Sequence, residues 1–128
     1  MNGNIELLDS NTLIYLSKKE LSLADVIKPE TKYFVSIISY MEVFGFPFRN
    51  PEEEEFLLEI FSRFEIVDIS MSIAEQVILL KKAKKMKLPD AILAATAIIN
   101  GWRLITRDVE DFRGIAGLNT INPFEGKS

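Results

Sequence analysis

Four acidic residues lie just after a predicted strand or on a predicted helix next to one, and they are the chain's best candidates for chemistry: Asp9, Glu42, Asp90 and Asp108. The sequence contains no cysteine and no histidine, which excludes thiolate metal sites, histidine-ligated zinc and Ser-His-Asp triads. Acid–base chemistry must therefore use carboxylates, lysine, tyrosine or metal-bound water. Carboxylates crowded into one crevice repel one another, and a hard divalent cation such as Mg²⁺ or Mn²⁺ relieves that repulsion.

Two of these acids also fit ordinary roles at helix ends. Aspartate before a helix is a common N-cap, although Ser10 or Asn11 could supply the cap and leave Asp9 free. Asp90 would gain from the helix dipole in the first turn of its helix. The rest of that helix, residues 91–99, is apolar on every side, which predicts burial and favours a chemical role for the charge at its mouth.

Glu42 and Asp108 are less distinctive when each is taken alone. Glu42 is the only charged residue between Val35 and Phe44, and if it is buried there it requires a cation or a proton. The alternative places it on a solvated stripe of its helix, paired with a lysine. For Asp108 an ordinary turn residue is the favoured interpretation. The hypothesis of a metal site therefore depends on the four acids as a set.

The elements that would position these acids alternate between strands and helices, which predicts an α/β fold with a parallel sheet. Strands are predicted at residues 5–8, 33–35, 65–69, 103–106 and, at the sheet edge, 119–121. The first three predicted helices begin at about residue 12, span residues 21–27 and run through residues 41–44. The next spans residues 51–64, and the fifth begins with a capping box at residues 72–75 and ends near residue 87. The last spans residues 89–100 and ends at a Gly101 C-cap. Ligand sites lie at the carboxyl ends of parallel strands, so this order predicts one crevice for Asp9, Glu42 and Asp108. Asp90 joins them only if its helix begins there.

Four segments resemble the PIN domain family. They are residues 7–14 (Leu-Leu-Asp-Ser-Asn-Thr-Leu-Ile), Ser39-x-x-Glu42, residues 88–97 (Leu-Pro-Asp-Ala-Ile-Leu-Ala-Ala-Thr-Ala) and residues 104–112 (Leu-Ile-Thr-Arg-Asp-Val-Glu-Asp-Phe), which residues 115–118 extend. The last two are the most specific. Ser10 stands where the family usually has threonine. The resemblance runs from Ile5 to about Pro123, and within the family the chain is most similar to VapC-like toxins of toxin–antitoxin pairs.

The resemblance implies a three-layer sandwich in which helices flank a central parallel sheet of four to five strands. It implies an endoribonuclease that uses one or two Mg²⁺ or Mn²⁺ ions and leaves a 5′-phosphate and a 3′-hydroxyl. Carried over residue by residue, it implies that the catalytic and metal-binding acids are Asp9, Glu42, Asp90 and Asp108. Ser10 and Thr106 match polar neighbours of that site, and Asp111 matches an acid that is often present. A homodimer and a small antitoxin protein that blocks the site are also implied.

The charge balance of −4 counts against RNA binding at first sight. If four acids hold metal, however, the fifteen acids that remain equal the fifteen basic residues, and the cations add positive charge. Five lysines lie within residues 81–87; they could guide an RNA backbone, but a solvated helix face is the favoured interpretation. Arg107 and Arg113 flank the site and are the better candidates for contacts with substrate phosphates.

Length and composition limit the remaining possibilities. A chain of 128 residues predicts a single domain over residues 1–128, with a disordered tail at residues 126–128. The sequence shows neither a basic-then-apolar leader nor an apolar run of about 20 residues, which predicts a cytoplasmic protein without a membrane span.

Two alternative functions stay open at this point. A phosphatase of the haloacid dehalogenase type also has aspartate after its first strand, but it needs a second aspartate two residues later, where this chain has Asn11. A non-catalytic PIN-like binding module is the other alternative. The complete set of four acids argues against it, because a degenerate member of the family should lack one of them.

Overall fold

The computed structural model describes residues 4–125 and contains five strands that form a single sheet. The predicted tail at residues 126–128 lies outside the described residues. The strands are β1 (Asn4–Leu8), β2 (Thr31–Ser36), β3 (Glu65–Val67), β4 (Arg103–Ile105) and β5 (Thr120–Ile121). The helices are α1 (Ser10–Ser17), α2 (Leu23–Val26), α3 (Ile37–Phe44), α4 (Pro51–Phe61), α5 (Met71–Ala83) and α6 (Leu88–Asn100), and a 3₁₀ helix spans Val109–Phe112.

The sheet has the order β3-β2-β1-β4-β5, and every neighbouring pair of strands is parallel. The chain adds strands on one side of β1 first and then crosses to the other side with β4. A topological switch point therefore lies between β1 and β4, which is where open parallel sheets bind ligands. The α/β sandwich with a central parallel sheet is confirmed, and β5 is the edge strand that the sequence predicts.

Alternating side chains of the strands divide the core into two layers. Phe34, Leu7 and Leu104 are aligned across β2, β1 and β4, and this row packs with the core that α5 and α6 form. The next row, Val35, Leu8 and Ile105, packs on the opposite face with the core that includes residues of α1, α3 and α4. Helices on both faces explain why these strands are apolar on both sides.

Helix α6 matches its predicted course closely. Pro89 lies in its first turn, residues 91–97 are buried, and Gly101 ends it in the left-handed conformation at φ 71°. A proline without an N–H fits the first turn, and a glycine without a Cβ fits the left-handed C-cap. The apolar sequence of this helix therefore reflects burial between the sheet and α5.

Helix α5 differs from its prediction at both ends. The predicted capping box at residues 72–75 is wrong, because Ser70 is the N-cap and its hydroxyl oxygen accepts a hydrogen bond from the Ile73 N–H at 3.2 Å. The helix also ends at Ala83 rather than near Lys87, since Lys84 turns to extended backbone at φ −147°. Residues 84–87 therefore form a loop between α5 and α6.

Two other elements are shorter than predicted. Helix α4 ends at Phe61 instead of about residue 64, and β3 ends at Val67 instead of residue 69. Within residues 4–125, no helix combines the length and the apolar character that crossing a membrane requires.

Candidate functional site

A pocket of about 490 Å³ opens at the carboxyl ends of β1 and β4, and all four candidate acids line it. Three further predicted site residues line the same pocket: Ser10, Thr106 and Asp111. Asp9 follows β1 directly, and its N–H donates to the Ile105 carbonyl at 3.2 Å, which joins the ends of β1 and β4. The switch point of the sheet therefore brings together residues that are about 100 positions apart in the sequence.

Asp9 caps helix α1 and lines the pocket at the same time. Its Oδ1 accepts a hydrogen bond from the Thr12 N–H at 2.8 Å. Of the two possibilities that the sequence left open, capping by Asp9 is therefore the one that occurs, and neither Ser10 nor Asn11 replaces it. The physical reason is that Asp9 is the last extended residue before the helix, so its carboxylate reaches the free N–H groups of the first turn. A carboxylate has two oxygens and several lone pairs, so capping does not exhaust its capacity as a ligand.

The electrostatic setting of Asp9 disfavours its charged form. The residue is only 5% exposed, and burial raises the pKa of its carboxyl group. The negative charge of Asp108 raises this pKa further, while hydrogen bonding from Thr106 and Thr12 lowers it. A buried carboxylate under these conditions gains from a nearby cation.

Glu42 lies on the exposed surface of α3, so of the two interpretations that the sequence left open the structure supports the solvated one. Its Oε1 accepts a hydrogen bond from the Ser10 hydroxyl at 2.5 Å. This bond connects the first turn of α1 to α3 across the pocket and holds the Glu42 side chain toward the other acids. The partner that orients Glu42 is thus a hydroxyl group and not the lysine of the alternative interpretation.

Asp108 is positioned by hydrogen bonds from two elements. Its N–H donates to the Thr106 hydroxyl at 3.0 Å, and its Oδ2 accepts from the Asn11 amide at 3.3 Å. Thr106 is fully buried at the end of β4, whereas Asp108 itself is exposed. Asp111 follows in the 3₁₀ helix, where its N–H donates to the Asp108 carbonyl at 3.0 Å.

Asp90 shows most directly that the acids share one electrostatic environment. Burial is the largest cause of the raised pKa of its carboxyl group. The charges of Asp111, Asp9 and Glu42 raise this pKa further, and Lys87 opposes them. Helix α6 therefore does begin at the crevice, which the sequence could not show for Asp90.

The pocket gathers the acids without bringing them into tight contact. Within residues 4–125, no three acidic side chains lie close enough together to form a ready-made metal-binding group. Hydrogen bonds to Ser10, Asn11 and the α1 backbone instead hold Glu42, Asp108 and Asp9 at separate points of the wall. The acids therefore line one pocket without forming a single cluster.

Neither of the two arginines predicted to contact substrate phosphates lines the pocket. The Arg107 guanidinium lies 4.4 Å from the centre of the Phe124 ring and 5.6 Å from that of Tyr15, and Arg107 is not among the residues that line the pocket. Arg113 forms an ion pair with Glu110.

Sequence reasoning did not nominate several residues of the pocket wall, among them the polar residues Asn11 and Lys87 and the aromatic residue Phe46. Asn11 could have been nominated, because it follows Asp9 by two positions in a segment rich in polar residues. Phe46 belongs to the aromatic turn after α3, for which the sequence offers no interpretation. Lys87 could be recognised only once the end of α5 was known, since within a helix it would have been a surface residue.

Comparisons with known proteins identify related sequences and structures. The sequence profile of the PIN domain family matches residues 7–118. No curated protein matches the chain. A toxin–antitoxin complex from Klebsiella pneumoniae contains a chain 36% identical to this one, with a TM-score of 0.71 and coverage of 94% of this chain and 98% of that chain.

Two further solved structures are similar over almost the whole chain. VapBC2 from Rickettsia felis, bound to a DNA fragment from its promoter, has 25% identity and a TM-score of 0.73, with coverage of 92% of this chain and 98% of that chain. VapBC-1 from nontypeable Haemophilus influenzae has 22% identity and a TM-score of 0.73, with coverage of 94% and 99%. At that lower identity the likeness concerns the fold alone.

Proposed function

This chain belongs to the PIN domain family, and from that premise we propose that it is a metal-dependent endoribonuclease that hydrolyses RNA phosphodiester bonds. The observation that carries the proposal is the acidic pocket at the sheet's switch point, where Asp9, Glu42, Asp90 and Asp108 converge from four separate elements. Nothing in the ordinary capping of helices requires four acids from distant segments to share one pocket.

The chemistry of this donor set fits a hard divalent cation. The acidic wall offers carboxylate oxygens, and the raised pKa values of Asp9 and Asp90 reflect burial together with repulsion from the neighbouring acids. Oxygen ligands of this kind suit Mg²⁺ or Mn²⁺. Asp9, Glu42, Asp90 and Asp108 would hold one or two such ions. When bound, the metal would neutralise charge on the attacked phosphate and activate water for hydrolysis.

The chain's own side chains supply binding and orientation. Ser10 donates a hydrogen bond to Glu42, Asn11 donates one to Asp108, and the Thr106 hydroxyl accepts one from the Asp108 N–H, so these two acids are oriented in the pocket. Hydrogen bonding from Thr106 and Thr12 favours the charged form of Asp9 that a cation needs. Asp111 lines the same wall and is a candidate additional ligand. No side-chain nucleophile is required, and the proposed products carry a 5′-phosphate and a 3′-hydroxyl.

Cleavage of a single-stranded RNA tests this proposal. We expect the wild-type chain to cut RNA with Mg²⁺ or Mn²⁺ and to stop when a chelator is added. Asp9→Asn and Asp90→Asn should each lose at least about 100-fold in rate, because a lost metal ligand removes several kcal/mol of transition-state stabilisation. Activity that survives both substitutions would exclude the metal mechanism.

The same assay separates the alternatives. Release of phosphate from small esters without RNA cleavage would favour a phosphatase, although Asn11, which stands where that class needs aspartate, donates to Asp108 instead. Binding of divalent metal without cleavage of any RNA would favour a non-catalytic module.

We also propose that the chain is the toxin of a toxin–antitoxin pair, acts in the cytoplasm and forms a homodimer. The relative from Klebsiella pneumoniae, which is described as a toxin–antitoxin complex, supports a small antitoxin partner. Induced expression of the wild type should arrest growth, whereas Asp9→Asn should not. Co-expression of a small open reading frame directly upstream should restore growth, and its protein product should co-purify with the chain. Light scattering of the purified chain would give the mass of the assembly and so test the homodimer.

A further inference from the structure

The loop between α5 and α6 carries lysines that the helix dipole does not explain. Lys81 and Lys82 lie in the last turn of α5, where a positive charge is favourable. Lys84, Lys85 and Lys87 lie beyond Ala83, where the helix has ended. The interpretation of the whole run as a solvated helix face therefore applies to its first two lysines only.

These loop lysines border the acidic pocket. A second pocket of about 550 Å³ has Lys84, Lys85 and Lys87 in its wall, and it shares Lys87, Asp90 and Asp111 with the acidic pocket. The two pockets therefore adjoin through one lysine and two acids. Among the described residues that line the acidic pocket, Lys87 is the single basic one.

Two lysine side chains hold the loop in place, Lys81 from the last turn of α5 and Lys84 from the loop itself. The Lys81 ammonium donates to the Met86 carbonyl at 3.2 Å, and the Lys84 ammonium donates to the Arg113 carbonyl at 2.7 Å. The second bond fixes the loop against the segment that follows the 3₁₀ helix of Asp111. Neither Lys85 nor Lys87 takes part in a hydrogen bond or ion pair among the side-chain bonds of residues 4–125.

Resting on the proposed function, we propose that Lys87, with Lys85 beside it, binds the substrate phosphate next to the scissile one, so that single-stranded RNA leaves the acidic pocket along the α5–α6 loop. The carboxylates of the acidic pocket repel the backbone of RNA, and a positive charge at the edge of the pocket offsets that repulsion where the strand leaves. Lysine binds phosphate as a point charge, and each neutralised phosphate releases a counterion. Lys87 acts here as a positioning residue.

Binding of a labelled single-stranded RNA 12-mer, measured by fluorescence anisotropy in chelator over a range of salt, tests this path without cleavage. We expect Lys87→Gln to weaken binding roughly fivefold to tenfold, as loss of one charge-assisted contact does. The slope of log Kd against log salt should become shallower by about 0.7 for the lost phosphate. Lys87→Arg should restore both values.

Lys82→Gln is the matched control, since it removes the same charge from the same lysine run but does not line either pocket. It should leave affinity and salt slope near those of the wild type. Equal effects of Lys87→Gln and Lys82→Gln would overturn the proposal, as would an unchanged salt slope in Lys87→Gln. In the cleavage assay Lys87→Gln should raise KM and spare kcat. A wild type that binds the 12-mer through Lys87 but never cuts RNA would instead overturn the nuclease function alone.

Discussion

Asp9 combines two roles whose electrostatic requirements differ. As the N-cap of α1 it favours folding, because its Oδ1 satisfies the Thr12 N–H. The residue is only 5% exposed, and its carboxyl group lies near Asp108. When this carboxyl group is ionised, it therefore opposes folding. The position of this carboxylate in the pocket therefore has a cost in the stability of the metal-free protein.

We expect Asp9→Asn to be more stable than the wild type at pH 7 in chelator, although it is inactive. Asparagine caps a helix as well as aspartate does, and it carries no charge. Because the pKa of Asp9 is raised above its ordinary value of 3.8, the folded wild type binds more protons than the unfolded chain. The stability that the folded protein gains from this extra proton is fully present below pH 3.8 and is lost as pH rises through the raised pKa of Asp9. The stability advantage of Asp9→Asn should therefore grow as pH rises from about 4 to 7 in urea titrations.

Comparison of Asp9→Ala with Asp9→Asn separates the cap from the charge. Asp9→Asn removes only the charge, whereas Asp9→Ala removes both the charge and the cap. Asp9→Ala should therefore be less stable than Asp9→Asn by about 1 kcal/mol at every pH. An Asp9→Asn protein that is less stable than the wild type at pH 7 would contradict the electrostatic argument.

The hydroxyl of Ser10 should tune the proposed metal site through Glu42. Ser10→Ala removes the 2.5 Å bond to Glu42 Oε1, so the carboxylate loses its orientation. We expect Mg²⁺ affinity or cleavage to fall about 10-fold to 100-fold, as for other residues that orient ligands. Ser10→Thr keeps a hydroxyl and should retain most of the affinity. Titration of cleavage with Mg²⁺ measures both, and equal losses in the two variants would argue against a hydrogen-bonding role.

At the scale of elements, α6 serves as a rigid support for the pocket. Its buried stretch, residues 91–97, fixes the helix between the sheet and α5, so Asp90 in the first turn has a defined position. Gly101 at the other end lets the chain turn directly into β4, which leads to Thr106. One helix thus links the placement of Asp90 to that of the β4 residues.

The left-handed backbone at Gly101 should make alanine unfavourable there. The φ angle is +71°, and an added Cβ would meet nothing within 4 Å, so any cost comes from the backbone alone. We expect Gly101→Ala to lower the free energy of unfolding by about 1 kcal/mol. Gly101→Asn should lose less, because asparagine tolerates this conformation. Chemical denaturation of both variants measures the difference, and equal stability of the two would contradict the conformational explanation.

At the scale of the whole molecule, the strand order determines where charge collects. The ends of β1 and β4 meet at the switch point, and Asp9 and Asp108 follow those ends. The other fifteen acids equal the fifteen basic residues in number. The net charge of −4 therefore has the same size as the summed charge of the four candidate acids, and Asp111 adds a fifth carboxylate to the pocket wall.

Divalent metal should consequently stabilise the whole fold. A ligand that binds only the folded state at 100 times its Kd adds about 2.7 kcal/mol to the free energy of unfolding. We expect Mn²⁺ or Mg²⁺ to raise the melting temperature of the wild type in thermal denaturation. Asp90→Asn should show little of this increase, and Lys82→Gln should show all of it. An increase of equal size in Asp90→Asn would place the ion elsewhere.

Much of the fold could be predicted because its signals are local. The Asn50-Pro51 start of α4, the Pro89 and Gly101 ends of α6 and the apolar strands each reflect a preference of a few neighbouring residues. Where two local signals are equally good, the sequence does not choose between them. Ser70 and Ser72 can both cap α5, and both Asp9 and Ser10 can cap α1, so only the packed structure selects one.

By itself, the sequence determined the alternation of strands and helices and the lack of histidine and cysteine chemistry, and it indicated four acids as candidates. These are properties of residue type and local spacing, which the chain carries whether or not it is folded. Only the tertiary structure decided that Asp90 joins the other acids, that Glu42 is held by Ser10 at the surface, that Arg107 packs on Phe124, and that Lys87 borders the pocket. Each of these depends on the distance between segments far apart in sequence, and that distance is set by how the helices pack across the sheet.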